Sequence, residues 1–82
     1  MAEALRDLEF RQIWEANAVK REITSRIIEE RIKRKLTQAQ LAQKAGLKQP
    51  SLARVESGNM PSITTLSKIA KAMGTRLEIR FV

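Results

Sequence analysis

Thr37-Gln-Ala-Gln-Leu-Ala-Gln-Lys-Ala-Gly-Leu-Lys-Gln-Pro-Ser-Leu-Ala-Arg-Val-Glu-Ser-Gly58 reads as two short helices joined by a tight turn. Thr37 and Gln40 form a capping box, in which the hydroxyl serves an amide three residues on and the Gln side chain reaches back. Leu41, Ala42 and Ala45 give the first helix its buried face. Gly46 fits a left-handed stop. Lys48-Gln49-Pro50 opens the second helix, since Pro is harmless in a first turn that needs no amide donor. Leu52 and Val55 face inward, and Gly58 ends the segment. A glycine followed by about three turn residues between two helices is the geometry of a helix-turn-helix unit. The small side chains at Ala42 and Ala45 let the second helix pack close and stand out of the domain.

The outward residues of that second helix are Gln49, Ala53, Arg54 and Ser57. Arg reads guanine bidentately and Gln reads adenine. Gln38 sits at a helix N-terminus, where backbone amides and a side-chain amide hold a phosphate. Ser62 and Thr64 offer the same arrangement at the following helix. Lys44 and Lys48 add attraction without sequence preference, and Ser51 completes the set of expected DNA contacts.

Working outward, Asn59, Met60 and Pro61 form a loop, and Ser62 caps a helix carrying Ile63, Leu66, Ile69, Ala70 and Met73, stopped by Gly74. Upstream, the first 36 residues contain neither Gly nor Pro. Val19, Ile23, Ile27, Ile28, Ile32 and Leu36 recur mostly four apart, the period of an amphipathic helix. Leu5, Leu8, Phe10, Ile13 and Trp14 are apolar but less regular. The pattern predicts helices near 4–16 and 18–35, or one interrupted helix. Downstream, Leu77, Ile79 and Phe81 alternate with Arg76, Glu78 and Arg80, which predicts a strand with one apolar face.

A lone strand is unstable. Two copies paired antiparallel about a two-fold axis at Ile79 would set Leu77 against Phe81 and Glu78 against Arg80, contacts worth ~0.2–1 kcal/mol each. The expected role of Leu77, Ile79 and Phe81 is therefore homodimerisation; the alternative is addition to a partner's sheet edge. The expected fold is all-α: about five helices in a helix-turn-helix domain, with a helical N-terminal extension and a C-terminal strand. Its parts are an acidic segment over 1–18, the DNA-binding domain over 19–75 and the dimerising strand over 76–82.

Composition narrows the function classes. At 82 residues the chain is one small domain, and a chain of that size buries only roughly 60% of its unfolded surface. With no Cys and no His, disulfides, zinc fingers, Cys nucleophiles and His general bases are excluded. Ser51, Ser57 and Ser62 have no histidine to act as base, and the adjacent Glu29 and Glu30 point apart on a helix. No enzyme activity, metal, cofactor or small-molecule ligand is expected.

The net charge is +7, which points to a polyanion partner, nucleic acid before membrane. The charge is segregated. Residues 1–30 carry five basic and seven acidic side chains; residues 31–82 carry eleven basic and only Glu56 and Glu78 acidic. One part can sit against phosphates while the other would be repelled, which suggests two tasks. Arg31-Ile-Lys-Arg-Lys35 reads more simply as a basic flank of the DNA-binding motif than as a localisation signal or membrane patch. Glu3, Asp7 and Glu9 argue against a signal peptide, no apolar run approaches the roughly 20 residues of a membrane span, and a cytoplasmic location is expected.

Three stretches, Thr37 to Gly46, Gln49 to Gly58, and Pro61-Ser-Ile-Thr-Thr-Leu-Ser-Lys-Ile-Ala-Lys-Ala-Met-Gly74, resemble the Xre/Cro/phage-repressor family of helix-turn-helix proteins over about residues 23–74. The resemblance implies that the Gln49–Ser57 helix enters the major groove, that Gln38 clamps a phosphate, and that Gln49 and Arg54 read bases. Pro50 departs from the polar residue often found there and is assigned no base contact. The resemblance also implies that Glu56 is paired with Arg31 and partly buried. It further implies a homodimer on a near-palindromic double-stranded operator, with recognition helices roughly 34 Å apart, blocking polymerase sterically.

The ends carry a narrower resemblance. Leu8-Glu-Phe-Arg with Trp14 near the start, and Met73-Gly-Thr-Arg-Leu-Glu-Ile-Arg-Phe-Val82 at the end, are similar to HigA-type antitoxins. Such proteins repress their own operon and neutralise a small basic ribonuclease toxin of the RelE/HigB type. That implies toxin contacts at Leu8, Phe10, Ile13 and Trp14; the other reading has these residues cover their own core. The alternative function is a stand-alone repressor without a toxin partner. An adaptor using the domain for protein contacts is disfavoured by the outward Gln49 and Arg54 and by the basic half.

Overall fold

With no glycine or proline to interrupt it, the backbone stays helical from Ala2 to Lys33. The computed structural model describes the backbone of residues 2–82, and all of their side chains except those of residues 2–7, Phe10 and Ile13. It contains four helices: α1 (Ala2–Lys33), α2 (Gln38–Ala45), α3 (Gln49–Glu56) and α4 (Ile63–Ala72). The expected fifth helix does not exist as a separate element. Ala16-Asn17-Ala18 contains nothing that stops a helix, so the segments expected near 4–16 and 18–35 are one rod about 48 Å long.

α1 ends where no punctuation residue announces it. Arg34 and Lys35 form a turn, and Lys35 takes a left-handed φ of 57°. The turn closes through Leu36 N–H donating to the Arg31 carbonyl at 3.1 Å and Lys35 N–H to Ile32 at 2.9 Å. On its outer side Arg34 hydrogen-bonds the Glu30 carboxylate, which lowers the Glu30 carboxyl from its ordinary value; a surface pair of this kind adds little stability.

The later boundaries follow the local chemistry. Thr37 caps α2 with the full reciprocal box: its hydroxyl accepts from Gln40 N–H at 3.1 Å, and the Gln40 side chain accepts from Thr37 N–H at 2.8 Å. Gly46 ends α2 at φ 71°, a conformation that costs any other residue about 1–2 kcal/mol. Ser62 caps α4 by accepting from Thr65 N–H at 3.2 Å.

The helices converge on one core of Ile27, Leu41, Ala42, Ala45, Leu52, Val55, Leu66, Ile69 and Met73. Leu41, Leu52 and Ile69 are fully enclosed. α2 packs on α3 and α4, and α1 packs on α3. Ile23, Leu36, Leu47, Met60 and Leu77 seal the edges. Among the described side chains of α1, only those of its second half take part: Ile27 is buried, whereas Val19 and Ile32, expected on the same apolar face, are exposed. Each described side chain from Leu8 to Asn17 is exposed, so the first half of α1 projects from the domain.

The expected C-terminal strand is absent. Residues after Thr75 form no backbone ladder among the described residues, because a strand needs a neighbour's edge and this chain offers none. Glu78 and Arg80, expected to meet across a two-fold axis, pair within the chain at 2.7 Å.

Two outcomes follow for stability. Lys35→Gly relieves a left-handed strain of about 1–2 kcal/mol and adds about 0.4–1 kcal/mol of unfolded-chain freedom. The net expectation is a gain of roughly 0.5–1 kcal/mol in urea unfolding; a loss would contradict the strained stop at the end of α1. Arg31→Met orphans the Glu56 carboxylate and should cost about 3–5 kcal/mol, read as a fall in thermal midpoint by circular dichroism. Unchanged melting would show that the pair is not structural.

Candidate nucleic-acid interface

α3 is a short helix with two different sides. Leu52 and Val55 are buried, while Gln49, Ser51 and Arg54 are exposed, with Ala53 half-buried between them. Lys48 occupies the N-cap position with extended backbone and makes no side-chain cap, which leaves its ammonium group exposed at the helix start. Pro50 sits in the first turn, where its missing N–H has no intrahelical partner to lose.

Glu56, the last residue of α3, is an acid in the basic half of the chain and at the negative end of its own helix. Both disadvantages are answered by Arg31. Its Nε donates to Glu56 Oε2 at 2.9 Å and its Nη2 to Oε1 at 3.0 Å, a two-pronged pair with side chains only 15% and 5% exposed. The remaining prong, Nη1, donates to the Leu36 carbonyl at 2.8 Å. A second tie joins the same helices: Thr24 Oγ1 donates to the Val55 carbonyl at 3.4 Å. The face of α3 is thus fixed against the rod, and its one carboxylate is withdrawn from solvent.

Gln38, at the start of α2, lies next to this pair. Its Nε2 donates to Glu56 Oε1 at 3.2 Å, and its Oε1 accepts from Gln49 Nε2 at 3.3 Å. The residues expected to clamp phosphate and to read a base are therefore in direct contact.

The other expected contacts are distributed unevenly. Lys44 lies at the far end of α2, about 9 Å along the helix from Gln38, and borders a shallow groove with Lys68 and Lys71. Those two lysines of α4 were not anticipated. Ser57 closes the end of α3, its hydroxyl donating to the Ala53 and Arg54 carbonyls at 2.9 and 3.0 Å, so its proton is already engaged. Ser62 spends its oxygen on capping α4, and Thr64 is exposed in the first turn of that helix.

At the projecting end of α1, Leu8 is 55% and Trp14 57% exposed. The Arg21 guanidinium lies over the Trp14 ring at 4.6 Å, a cation–π contact. Trp14 does not cover its own core; Phe10 and Ile13 lie outside the described side chains. At the other end of the chain Leu77 is half-buried against the core, Ile79 is largely exposed and Phe81 fully so.

No group of three or more His, Cys, Asp or Glu side chains capable of holding a metal occurs among the described residues, and none of their helices is long and apolar enough to cross a membrane. A family model described as Helix-turn-helix matches residues 27–79, more than half of the chain. Comparison with curated proteins and with solved structures gives no match.

The exposed α3 face makes a two-part expectation. Lys48→Ala should weaken binding to every duplex alike and lower the salt slope by about one. Arg54→Ala should cost ~1–3 kcal/mol on the preferred site and relax preference at one base pair. Competition binding at two salt concentrations measures both, and equal losses on specific and random duplexes for both variants would exclude these roles.

Proposed function

The chain belongs to the Xre-type helix-turn-helix family, a family of DNA-binding transcription regulators, and on that premise we propose that it is an operon repressor that also acts as an antitoxin. The observation that carries the DNA-reading part is the α3 face. Gln49, Ser51 and Arg54 are exposed beside Lys48, on a helix whose acid is neutralised by Arg31. Gln49 and Arg54 read base edges, and Gln38, Lys44, Lys48, Ser51, Ser62 and Thr64 contribute backbone or secondary contacts; the Ser57 hydroxyl, first expected among them, is committed to the end of its own helix. Occupancy of the promoter excludes polymerase.

Two copies act together. One α3 spans a single half-site, and a near-palindromic operator presents two, about 34 Å apart. Residues 76–82 join the copies: Ile79 and Phe81 are exposed apolar residues with no use in a lone chain, and pairing two tails would create the ladder that one tail lacks.

The projecting half of α1 is the second working surface. Leu8 and Trp14 stay exposed on a segment whose acids are Glu3, Asp7, Glu9 and Glu15. Exposed apolar side chains on a segment with four acids against two arginines, Arg6 and Arg11, suit a small basic protein, and we assign this segment to a ribonuclease toxin of the RelE/HigB type. The stand-alone repressor remains the second reading.

Truncations separate these parts. Removing residues 2–17 should leave the thermal midpoint unchanged and operator affinity within about twofold of the full chain, while abolishing the complex with the co-expressed product of the neighbouring reading frame on gel filtration. Removing residues 76–82 should convert the dimer to a monomer in sedimentation. A complex that survives the first deletion refutes the toxin surface; an intact dimer after the second refutes the tail interface.

A further inference from the structure

The contact between Gln38 and Glu56 has no obvious structural need, since Arg31 already holds both oxygens of the carboxylate. It does have a directional consequence. A carboxylate only accepts hydrogen bonds. Gln38 must therefore turn its Nε2 toward Glu56, and its Oε1 is left as the group that meets Gln49. A carbonyl oxygen only accepts, so Gln49 must meet it with Nε2. The direction of every bond in the chain Arg31, Glu56, Gln38, Gln49 is set at its buried end.

We propose that Glu56 is a positioning residue for sequence reading: acting through Gln38, it fixes which way round the Gln49 amide faces the groove. The inference rests on the assignment of Gln49 to base reading. With one N–H committed to Gln38, Gln49 offers its Oε1 and its other N–H outward. An acceptor beside a donor matches the adenine edge, which presents the N6 donor and the N7 acceptor. The reversed amide would commit Oε1 and offer two donors, a pattern suited to the two acceptors of guanine, O6 and N7. A free glutamine flips between these states, and its preference is correspondingly blurred. The same bond also immobilises a flexible side chain before DNA arrives, so less ordering is left to the binding step.

The test uses the full chain and a preferred duplex selected from a random library. Affinities are then measured for every single base-pair substitution in that duplex, for wild type, Gln49→Ala, Gln38→Ala and Glu56→Gln. Gln49→Ala identifies the base pair that Gln49 reads, where wild type should favour adenine by about tenfold. Gln38→Ala retains the Arg31–Glu56 pair and so keeps the fold, yet should reduce that preference to under about threefold while leaving the Arg54 base pair discriminated. Glu56→Gln supplies an amide that can donate as well as accept, so the direction is no longer imposed; its specific signature is tolerance of guanine at the same position. In the Gln49→Ala background neither substitution should alter discrimination there further. If Glu56→Gln melts below the assay temperature, Gln38→Ala decides alone.

Full adenine preference in Gln38→Ala, or a loss spread evenly over all positions, overturns the proposal. If Gln49→Ala changes no single position, the base-reading assignment itself fails, a result distinct from failure of the relay.

Discussion

A bidentate ion pair between residues 25 apart in sequence holds this molecule in its working shape. Arg31 and Glu56 lock the end of α1 to the end of α3, and the third prong of the guanidinium takes in the turn that leads to α2. A helix of eight residues such as α3 is too short to be stable alone; its orientation is borrowed from what it packs on. Two buried apolar anchors, Leu52 and Val55, set its depth, and the ion pair sets its rotation about its own axis. Desolvating two charges is costly, and a well-packed apolar substitute is often no less stable. The pair's particular contribution is to present a carboxylate with defined directionality beside Gln38, which no apolar contact would do.

Much of this was legible in the sequence because it rests on local rules. The Thr37–Gln40 box, the stops at Gly46, Gly58 and Gly74, Pro50 in a first turn, and the inward Leu41, Leu52, Leu66 and Ile69 are all set by neighbours within a helical turn or two. The Arg31–Glu56 pair came from family resemblance rather than periodicity, since nothing local links the two. The contact of Gln38 with Glu56 was illegible for the same reason: the residues are 18 apart and meet only once α2 has turned back on α3.

The misjudged elements have physical causes too. The break expected near residue 17 rested on a change in apolar spacing, but spacing records what a helix packs against rather than whether it continues. α1 leaves the core there without unwinding. Its true end, at Lys33, depends on Lys35 accepting a left-handed conformation that sequence patterns assign to Gly or Asn. The strand over 76–82 follows from alternation alone, and alternation describes a surface in need of a partner; without that partner the backbone has no ladder to join. Trp14 follows the opposite course. Large aromatic side chains in small domains tend to be buried, yet this one stands clear of the core beneath Arg21 because the helix carries it out of reach.

The rod also resolves an electrostatic conflict. An acidic segment on a DNA-binding chain would ordinarily oppose phosphate contact. From Ala16 to Arg31, α1 rises about 22 Å, and at physiological salt exposed charges are screened over about 8 Å. Glu3, Asp7, Glu9 and Glu15 all lie at or beyond that distance from the end of the helix that abuts α3. Those four acids therefore subtract little from the positive charge of residues 31–82, and they keep their own field for whatever meets them. A flexible linker of the same length would let the acidic segment fold back onto Lys48 and Arg54 and compete with phosphate. A continuous helix forbids that collapse, so the absence of glycine and proline from the first 36 residues, which first marked the segment as helical, also keeps its acidic start away from the basic α3.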